Sequence, residues 1–363
     1  MTHDSQTLPG RRAFLQGLGA AALGAGTLNL SNQAQAADVI GASLSTPSGK
    51  PLRGLYPILQ TPFTGNDKLD TDALANQIRF VNRGRVNGMI WPVFASAWGT
   101  LSDAERIEGA ETILDAGKGG RAAIAIAVQN TRWDTDLSVR YARHAAAHGA
   151  DAIVAIPPNN GWNVTDDAVL DYYQRIAAAT DLPLIVQTRG SLSVDLMLRM
   201  FKAIPAMKAT KDEVGSPLER IGPLIQGSGN RLAVWAAGGG SGDLLLEELP
   251  LGFVGLCPTP QFADVLQKVQ ELYWAGQRRQ AFDLYGRVQA FATIPGAVEY
   301  TLIARGVFND QTRFRQQPME PEARNAGGGA GGSPRPNRGP LSDKQKDFIR
   351  TALEEYLRPS LVA

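Results

Sequence analysis

One cysteine, Cys257, and three histidines, His3, His144 and His148, are all the thiol and imidazole that this 363-residue chain contains. A lone thiol excludes an intramolecular disulfide, and so small a stock of soft ligands excludes a metal centre built from a full His/Cys set. His144 and His148 lie four apart and share one face of any helix there, but no third His or Cys completes a set. Helix-dipole complementarity near a C-terminus accounts for them, so no metal is expected. Excess charge is missing too. With 36 basic against 35 acidic residues the formal net charge is +1, which gives no electrostatic reason to expect a nucleic acid or an anionic membrane as partner. A small-molecule partner is the remaining expectation. Hydrophobic residues make up 44% of the chain and charged ones 20%, so it has the composition to bury a large core.

Residues 1–36 read as a targeting segment. Arg11-Arg12-Ala13-Phe14-Leu15 precedes an apolar run from Gly17 to Leu30, and Ala34-Gln35-Ala36 offers small residues for cleavage. The pattern is that of a twin-arginine export signal, with Gly10 where Ser or Thr is usual and Gln16 where Lys is common. Sec export or an uncleaved anchor is the alternative. The run of 14 residues is shorter than the roughly 20 that span a bilayer, which favours cleavage and release over stable membrane insertion. The expected location is periplasmic or secreted, with 37–51 as a linker.

From Leu52 to Gly306 short apolar or β-branched runs alternate with longer helical periodicity, the pattern of βα units and a parallel sheet. Eight strands are predicted: Gly54–Leu59, Gly88–Phe94, Ala122–Val128, Ala152–Pro157, Leu184–Thr188, Met207–Lys211, Leu232–Ala236 and Phe253–Cys257. Ser102 and Glu105 have the spacing of a capping box, and Asp134 and Asp136 read as helix-start acids. Eight units over 52–306 suit a closed (β/α)8 TIM barrel, an α/β fold. A doubly wound open sheet is the alternative, weakened because no G-x-G-x-x-G loop follows the first strand. Additional C-terminal helices are expected from about 261, then a flexible Gly/Pro-rich insertion over 307–341 around Gly327–Gly332. A final helix over Ser342–Leu357, within 342–363, would pack through Phe348, Ile349, Leu353 and Tyr356.

Several landmarks in order carry a resemblance: Gly54-Leu55-Tyr56-Pro57-Ile58-Leu59-Gln60-Thr61-Pro62-Phe63, Gly149-Ala150-Asp151-Ala152 with Pro157-Pro158, Leu182-Pro183-Leu184-Ile185-Val186, Pro205 through Lys211, and Leu251 through Leu256. The set resembles the dihydrodipicolinate synthase and N-acetylneuraminate lyase family. That resemblance implies a lysine Schiff-base lyase of 2-oxo acids, homo-oligomeric and without a cofactor, and puts Lys211 at the position of the imine-forming lysine. A period of two places Met207, Ala209 and Lys211 on one face, so Lys211 would point inward at the C-terminal mouth, where burial lowers an amine's pKa and frees it for attack. By position alone, a surface lysine is the alternative.

The departures narrow the expectation. Where the family has a proton-relay tyrosine stands Gln187, whose amide cannot titrate near neutral pH. Where it has Gly-Thr-Thr-Gly-Glu stands Val93-Phe94-Ala95-Ser96-Ala97, leaving the N–H groups of Phe94 and Ala95 to face a carboxylate. Asn159 or Asn160 replaces a tyrosine that many members extend across an interface. Arg189 is a candidate carboxylate partner, Cys257 closes the predicted eighth strand as a further substrate contact, and Trp98 and Trp162 are candidate walls, with Trp91 a core residue or a wall. Asp212 and Glu213 are the nearest carboxylates in sequence to Lys211. The expected activity is C–C cleavage, condensation or dehydration other than dihydrodipicolinate synthesis, with a binding protein that has lost proton relay as the alternative. Changing Arg11 and Arg12 together to Lys should hold the precursor in the cytoplasm of a bacterial host. Recovery of that variant in the periplasmic fraction at the unaltered level would refute the twin-arginine assignment.

Overall fold

A computed structural model describes residues 44–215, 217–236, 246, 249–291, 296–316 and 341–361. The proposed export signal over 1–36 lies outside them. The strands and helices alternate as β1 Gly54–Leu55, α1 Thr71–Arg83, β2 Gly88–Trp91, α2 Asp103–Gly117, β3 Ala123–Ala127, α3 Thr135–Ala147, β4 Ala152–Ala155, α4 Asp166–Ala177, β5 Leu184–Gln187, α5 Val194–Ala203, β6 Met207–Asp212, α6 Pro217–Gly227, β7 Ala233–Ala236 and β8 Gly255–Leu256. All ladder pairings are parallel in the order β1-β8-β7-β6-β5-β4-β3-β2. A parallel bridge between Ile58 and Ile90 brings the two ends of that order together, closing the barrel. This is the (β/α)8 TIM barrel that the alternation predicts, followed by α7 Ala263–Trp274, α8 Arg278–Gln289, α9 Ala297–Ala304 and α10 Asp343–Ala352.

Strand alternation divides the apolar residues into two cores. Tyr56, Ile90, Ala125, Val154, Ile185, Ala209 and Trp235 fill the barrel interior, while Met89, Ile126, Ile153, Val186, Val234 and Leu256 face the helices. Small residues on β3 leave room for the large rings, and Tyr56 and Trp235 meet at 4.7 Å between centroids. The helices start where the sequence predicts: Ser102 and Glu105 form the reciprocal capping box of α2, and Asp134 accepts from the backbone N–H of Asp136 and Leu137. Among the described residues no helix is long and apolar enough to cross a membrane.

Met207 departs from the predicted face. The β5–β6 register runs from Leu184↔Met207 directly to Ile185↔Ala209, so Lys208 is an extra residue in β6. Such a bulge reverses the facing of what precedes it: Met207 packs in the outer core and Ala209 in the interior. Residues 44–51 are also more than a linker. Ser45 pairs with Pro51, the Tyr56 hydroxyl donates to the Pro51 carbonyl at 2.7 Å, and Lys50 Nζ bonds Asp151 Oδ2 at 3.0 Å, seating Leu44 and Leu52 against the interior core.

Of the expected insertion over 307–341, residues 307–316 are described and packed. Val307, Phe308 and Thr312 are buried, Arg313 bridges to Phe63, and Arg315 lies 3.8 Å over the Phe63 ring while bonding Asp67 and the Thr100 carbonyl. Residues 307–316 are thus pinned to the loops after β1 and β2, and 317–340 lie outside the described residues. In the final helical segment Ile349, Leu353 and Leu357 are buried, whereas Phe348 and Tyr356, expected to pack, are about half exposed. A widened turn over Leu353–Leu357 shifts the helical phase.

Gly88 gives the interior packing a direct test. A Cβ there would stand 2.2 Å from the Tyr56 ring, so Gly88→Ala should cost ~1–3 kcal/mol and lower the melting temperature. Gly222→Ala, on α6 with nothing within 4 Å of its Cβ, is the control and should melt at or above the unaltered protein. Equal melting of both variants would show that the interior is looser than described.

Candidate active site

Because alternation restarts at Ala209, β6 aims Lys211 inward at the C-terminal end of the barrel, with Thr210 and Asp212 on the opposite face. Lys211 is 4% exposed and stands in register with Gln187 on β5 and Trp235 on β7. Continuing the period of two brings Glu213 to the same inner face. There its carboxylate forms an ion pair with Lys211 Nζ through Oε1 and accepts a hydrogen bond from Gln187 Nε2 at 2.7 Å through Oε2. Burial would push the Glu213 carboxyl up, but the charges of Lys211 and Arg189 and the bonds from Lys211 and Gln187 together hold it below the ordinary range.

The outward-facing side of the same strand end is a clamp. Asp212 receives Arg220 at both carboxylate oxygens, 2.8 Å to Oδ2 and 2.9 Å to Oδ1, and Arg220 also reaches the Leu192 carbonyl at 2.9 Å. Thr188 ties the two faces together. Its hydroxyl donates to Asp212 Oδ1 at 2.9 Å and accepts from the Glu213 backbone N–H at 2.7 Å. Asp212 is thereby committed to structure, and Glu213 is the nearby carboxylate left facing Lys211.

Arg189 and Phe94 come together, the guanidinium carbon lying 4.0 Å over the Phe94 ring, and the Arg189 charge acts on Glu213. Phe94 continues an aromatic edge through Trp98, 6.3 Å away, to Trp133, a further 5.6 Å. Cys257 lines the interior, where burial pushes its thiol up to about 12, so it is protonated at neutral pH and offers no thiolate. Ala95 is exposed in the 3-10 turn Phe94–Ser96. The Ser96 hydroxyl is occupied, donating to the Leu59 carbonyl at 2.6 Å and accepting from Val93 N–H at 3.2 Å. Trp91 is a core residue: its indole N–H donates to Thr61 at 2.9 Å, and its ring fills the space that a Cβ on Gly109 of α2 would need.

Two glycines bring the loops after β4 and β5 into contact. Gly161 and Gly190 both have positive φ, and a Cβ on either would strike the other loop's backbone at 2.4–2.5 Å. Under this contact Asn160 is fully buried, and among the described residues neither of its amide atoms has a partner, while Trp162 is half-buried with its carbonyl accepting from Asn159 Nδ2 at 2.7 Å. Gln129, two residues beyond β3 on the inner face by alternation, donates to the Pro92 carbonyl at 2.8 Å, but among the described residues its Oε1 has no partner, nor has Oε1 of Gln187. Sequence reading missed Gln129, although counting by twos from Ala127 would have found it.

On the barrel's flank the third donor that the sequence did not show for His144 and His148 is Glu111 of α2. Its Oε1 lies 2.9 Å from His144 Nε2 and 3.6 Å from His148 Nε2.

A family profile described as "Dihydrodipicolinate synthetase family" matches residues 51–294. The Probable 2-dehydro-3-deoxy-D-pentonate aldolase YjhH of Escherichia coli (strain K12) is 32% identical over 177 residues, 46% of this chain and 56% of that protein. The L-2-keto-3-deoxyarabonate dehydratase of Azospirillum brasilense is 25% identical over 256 residues, 69% of this chain and 79% of that one. The chain thus spans little more than half the length of the first relative. Among solved structures, a prophage protein of the dihydrodipicolinic acid synthase family from E. coli K12, in complex with pyruvate, superposes with a TM-score of 0.66 at 19% identity over 84% of this chain and 98% of that one. The N-acetylneuraminate lyase from Mycoplasma synoviae does so at 0.65 and 18% identity, over 84% and 98%. The profile match covers more than half of the chain and the structural likeness shows the same fold, so the chain belongs to the dihydrodipicolinate synthetase family, whose members here include lyases, aldolases and dehydratases.

Proposed function

We propose that this chain is an exported Schiff-base lyase or aldolase that condenses Lys211 with pyruvate or another 2-oxo acid, in a reaction other than dihydrodipicolinate synthesis. The observation that carries the reading is the inward, buried Lys211 at the barrel mouth, its Nζ in contact with the Glu213 carboxylate. An amine there attacks the 2-oxo carbon, and the protonated imine then accepts the electrons released when a bond two carbons away breaks. Arg189, stacked on Phe94, supplies the positive charge for a substrate carboxylate. The unpartnered oxygens of Gln129 and Gln187 favour a substrate carrying hydroxyl donors, since a buried acceptor left unpaired costs ~1–3 kcal/mol.

Gln187 argues against dihydrodipicolinate synthesis, because an amide cannot take the place of a titrating phenol. Export, read from the Arg11-Arg12 leader, separates the chain from cytoplasmic lysine biosynthesis, and a homo-oligomer in the periplasm is part of the same proposal. Pyruvate trapping with borohydride tests the reading. Intact mass should increase by one reduced pyruvate on the unaltered chain and stay unchanged on Lys211→Ala. No adduct on the unaltered chain, or an equal adduct on the variant, would overturn it in favour of a protein that only binds its 2-oxo acid or sugar acid.

A further inference from the structure

We infer that Glu213 is the acid–base residue of this site, moving the protons that imine formation at Lys211 requires; the inference rests on Lys211 being the imine-forming amine. Three geometric facts support it. Glu213 shares the inner face with Lys211 by strand alternation, whereas Asp212 points outward and is held by Arg220 and Thr188. One carboxylate oxygen touches Nζ, the atom that must lose protons, and the other is fixed by Gln187 Nε2 at 2.7 Å. The backbone of Glu213 is held as well, its N–H donating to Thr188 Oγ1 at 2.7 Å. Gln187 cannot carry a proton itself. It acts as a positioning residue that keeps the carboxylate turned toward the amine.

The proton balance closes without any other group. Glu213 carboxylate takes a proton from the Lys211 ammonium, and the neutral amine attacks the 2-oxo carbon to give a carbinolamine. In that addition Glu213 carboxylic acid protonates the alkoxide oxygen and its carboxylate takes one proton from the added nitrogen; the regenerated acid then protonates the departing hydroxyl, releasing water and leaving the protonated imine and a carboxylate. For a substrate with a hydroxyl on C4, the carboxylate removes that hydroxyl proton as the C3–C4 bond breaks. The bonding pair passes into the imine, giving an enamine and a free aldehyde, and the carboxylic acid then protonates the enamine carbon. Water then hydrolyses the resulting imine by the reverse of its formation, freeing the 2-oxo acid, and each cycle ends with Lys211 as ammonium and Glu213 as carboxylate.

Timed borohydride quenching with pyruvate measures the step. Glu213→Gln keeps the size and the bond to Gln187 but cannot carry a proton, so adduct formation should slow by ~10²–10⁴-fold while still reaching Lys211 on long incubation. On the unaltered protein the trapping rate should fall with decreasing pH as Glu213 becomes protonated. Its lowered pKa puts that fall below the usual glutamate range, and the fall should vanish in Glu213→Gln. Glu213→Asp, which retains the charge and safeguards folding, should be intermediate in rate and keep the acid-side fall. Trapping by Glu213→Gln at the unaltered rate and pH profile would overturn the inference and leave the Lys211 reading intact. Absence of any adduct on the unaltered chain would instead remove the reading on which it rests.

On the outer flank we propose a site for a divalent transition-metal ion, Zn²⁺ by ligand type, at Glu111, His144 and His148. The three potential ligand atoms lie within 4.8 Å of one another. In a tetrahedral zinc site with bonds of ~2.0–2.1 Å, neighbouring ligand atoms are separated by about 3.3 Å. The contacts of Glu111 Oε1 to the two Nε2 atoms, 2.9 and 3.6 Å, bracket that value. His148 Nδ1 lies 2.9 Å from the His144 carbonyl and can only donate to it, so the neutral ring would offer the Nε2 lone pair to a metal ion on the Glu111 side. The i,i+4 spacing on α3 places both rings over α2, so an ion there would join the two helices and keep a water on its exposed side. Co²⁺ titration of the full chain, read by its visible absorption, should show one tetrahedral site displaced by Zn²⁺ and lost in His148→Gln, with pyruvate trapping unaltered. Binding that survives in His148→Gln, or no binding at all, would show that the three residues form an ion pair only.

Discussion

The pairing of β5 with β6 is the constraint on which this site depends. It sets Gln187 opposite Lys211, and the extra residue Lys208 at the start of β6 decides which faces the rest of the strand presents. Without that bulge, counting from an outward Met207 would turn Lys211 toward the helices and Asp212 into the barrel, since a one-residue change of phase exchanges every side chain between faces. Thr210 and Thr188 then secure the register from the side, the first donating to the Val186 carbonyl at 2.8 Å and the second bridging Asp212 to the Glu213 backbone. These two threonines thereby hold one lysine and one carboxylate at a barrel end.

Two buried ion pairs stand on opposite sides of the same strand end, and the difference in their wiring separates structure from chemistry. Asp212 and Arg220 share a bidentate contact, and Arg220 has a carbonyl besides, so their charges are well compensated. Removing one partner of such a pair strands a buried charge, at a cost of ~3–5 kcal/mol. Lys211 and Glu213 meet through a single nitrogen–oxygen contact at the open end of the interior. A pair of that kind is free to exchange a proton, because among the described residues the amine has one carboxylate partner, Glu213.

Much of this was legible in the sequence, for reasons that differ from residue to residue. The barrel followed from eight apolar runs separated by helical periodicity, and helix starts such as Ser102 and Asp134 followed from capping chemistry that is local in sequence. Lys211 was singled out by the family resemblance and its inward facing by a period of two, although Met207, one of the residues used to anchor that period, faces the other way: a bulge leaves no mark in composition. Long-range contacts were beyond reach. Nothing near Arg315 announces that it will stack on Phe63, nothing in Glu111 that two imidazoles lie beside it, and nothing in Ser96 that its hydroxyl is taken by Leu59. Residues 44–51 read as a linker because their composition is that of a turn, which is also what a short plug beneath the barrel requires.

Gln187 can be understood only together with Glu213. Alone, an amide at the end of β5 can neither take nor give a proton near neutral pH. Beside a carboxylate its donor end has a partner, at 2.7 Å, and its acceptor end has none among the described residues. The assignment of those two ends follows from the network, because an oxygen turned toward the Glu213 carboxylate would place acceptor against acceptor. The orphaned Oε1 therefore belongs to the inner face, in the same condition as Oε1 of Gln129. Two buried acceptors, a stacked guanidinium and a lysine–carboxylate pair are complementary to a molecule with hydroxyl donors, a carboxylate and a carbonyl. Hydroxyl-bearing 2-oxo acids, the substrates proposed above, have those groups in one short chain, so in that proposal Gln187 both positions the carboxylate and helps to define what the site can hold.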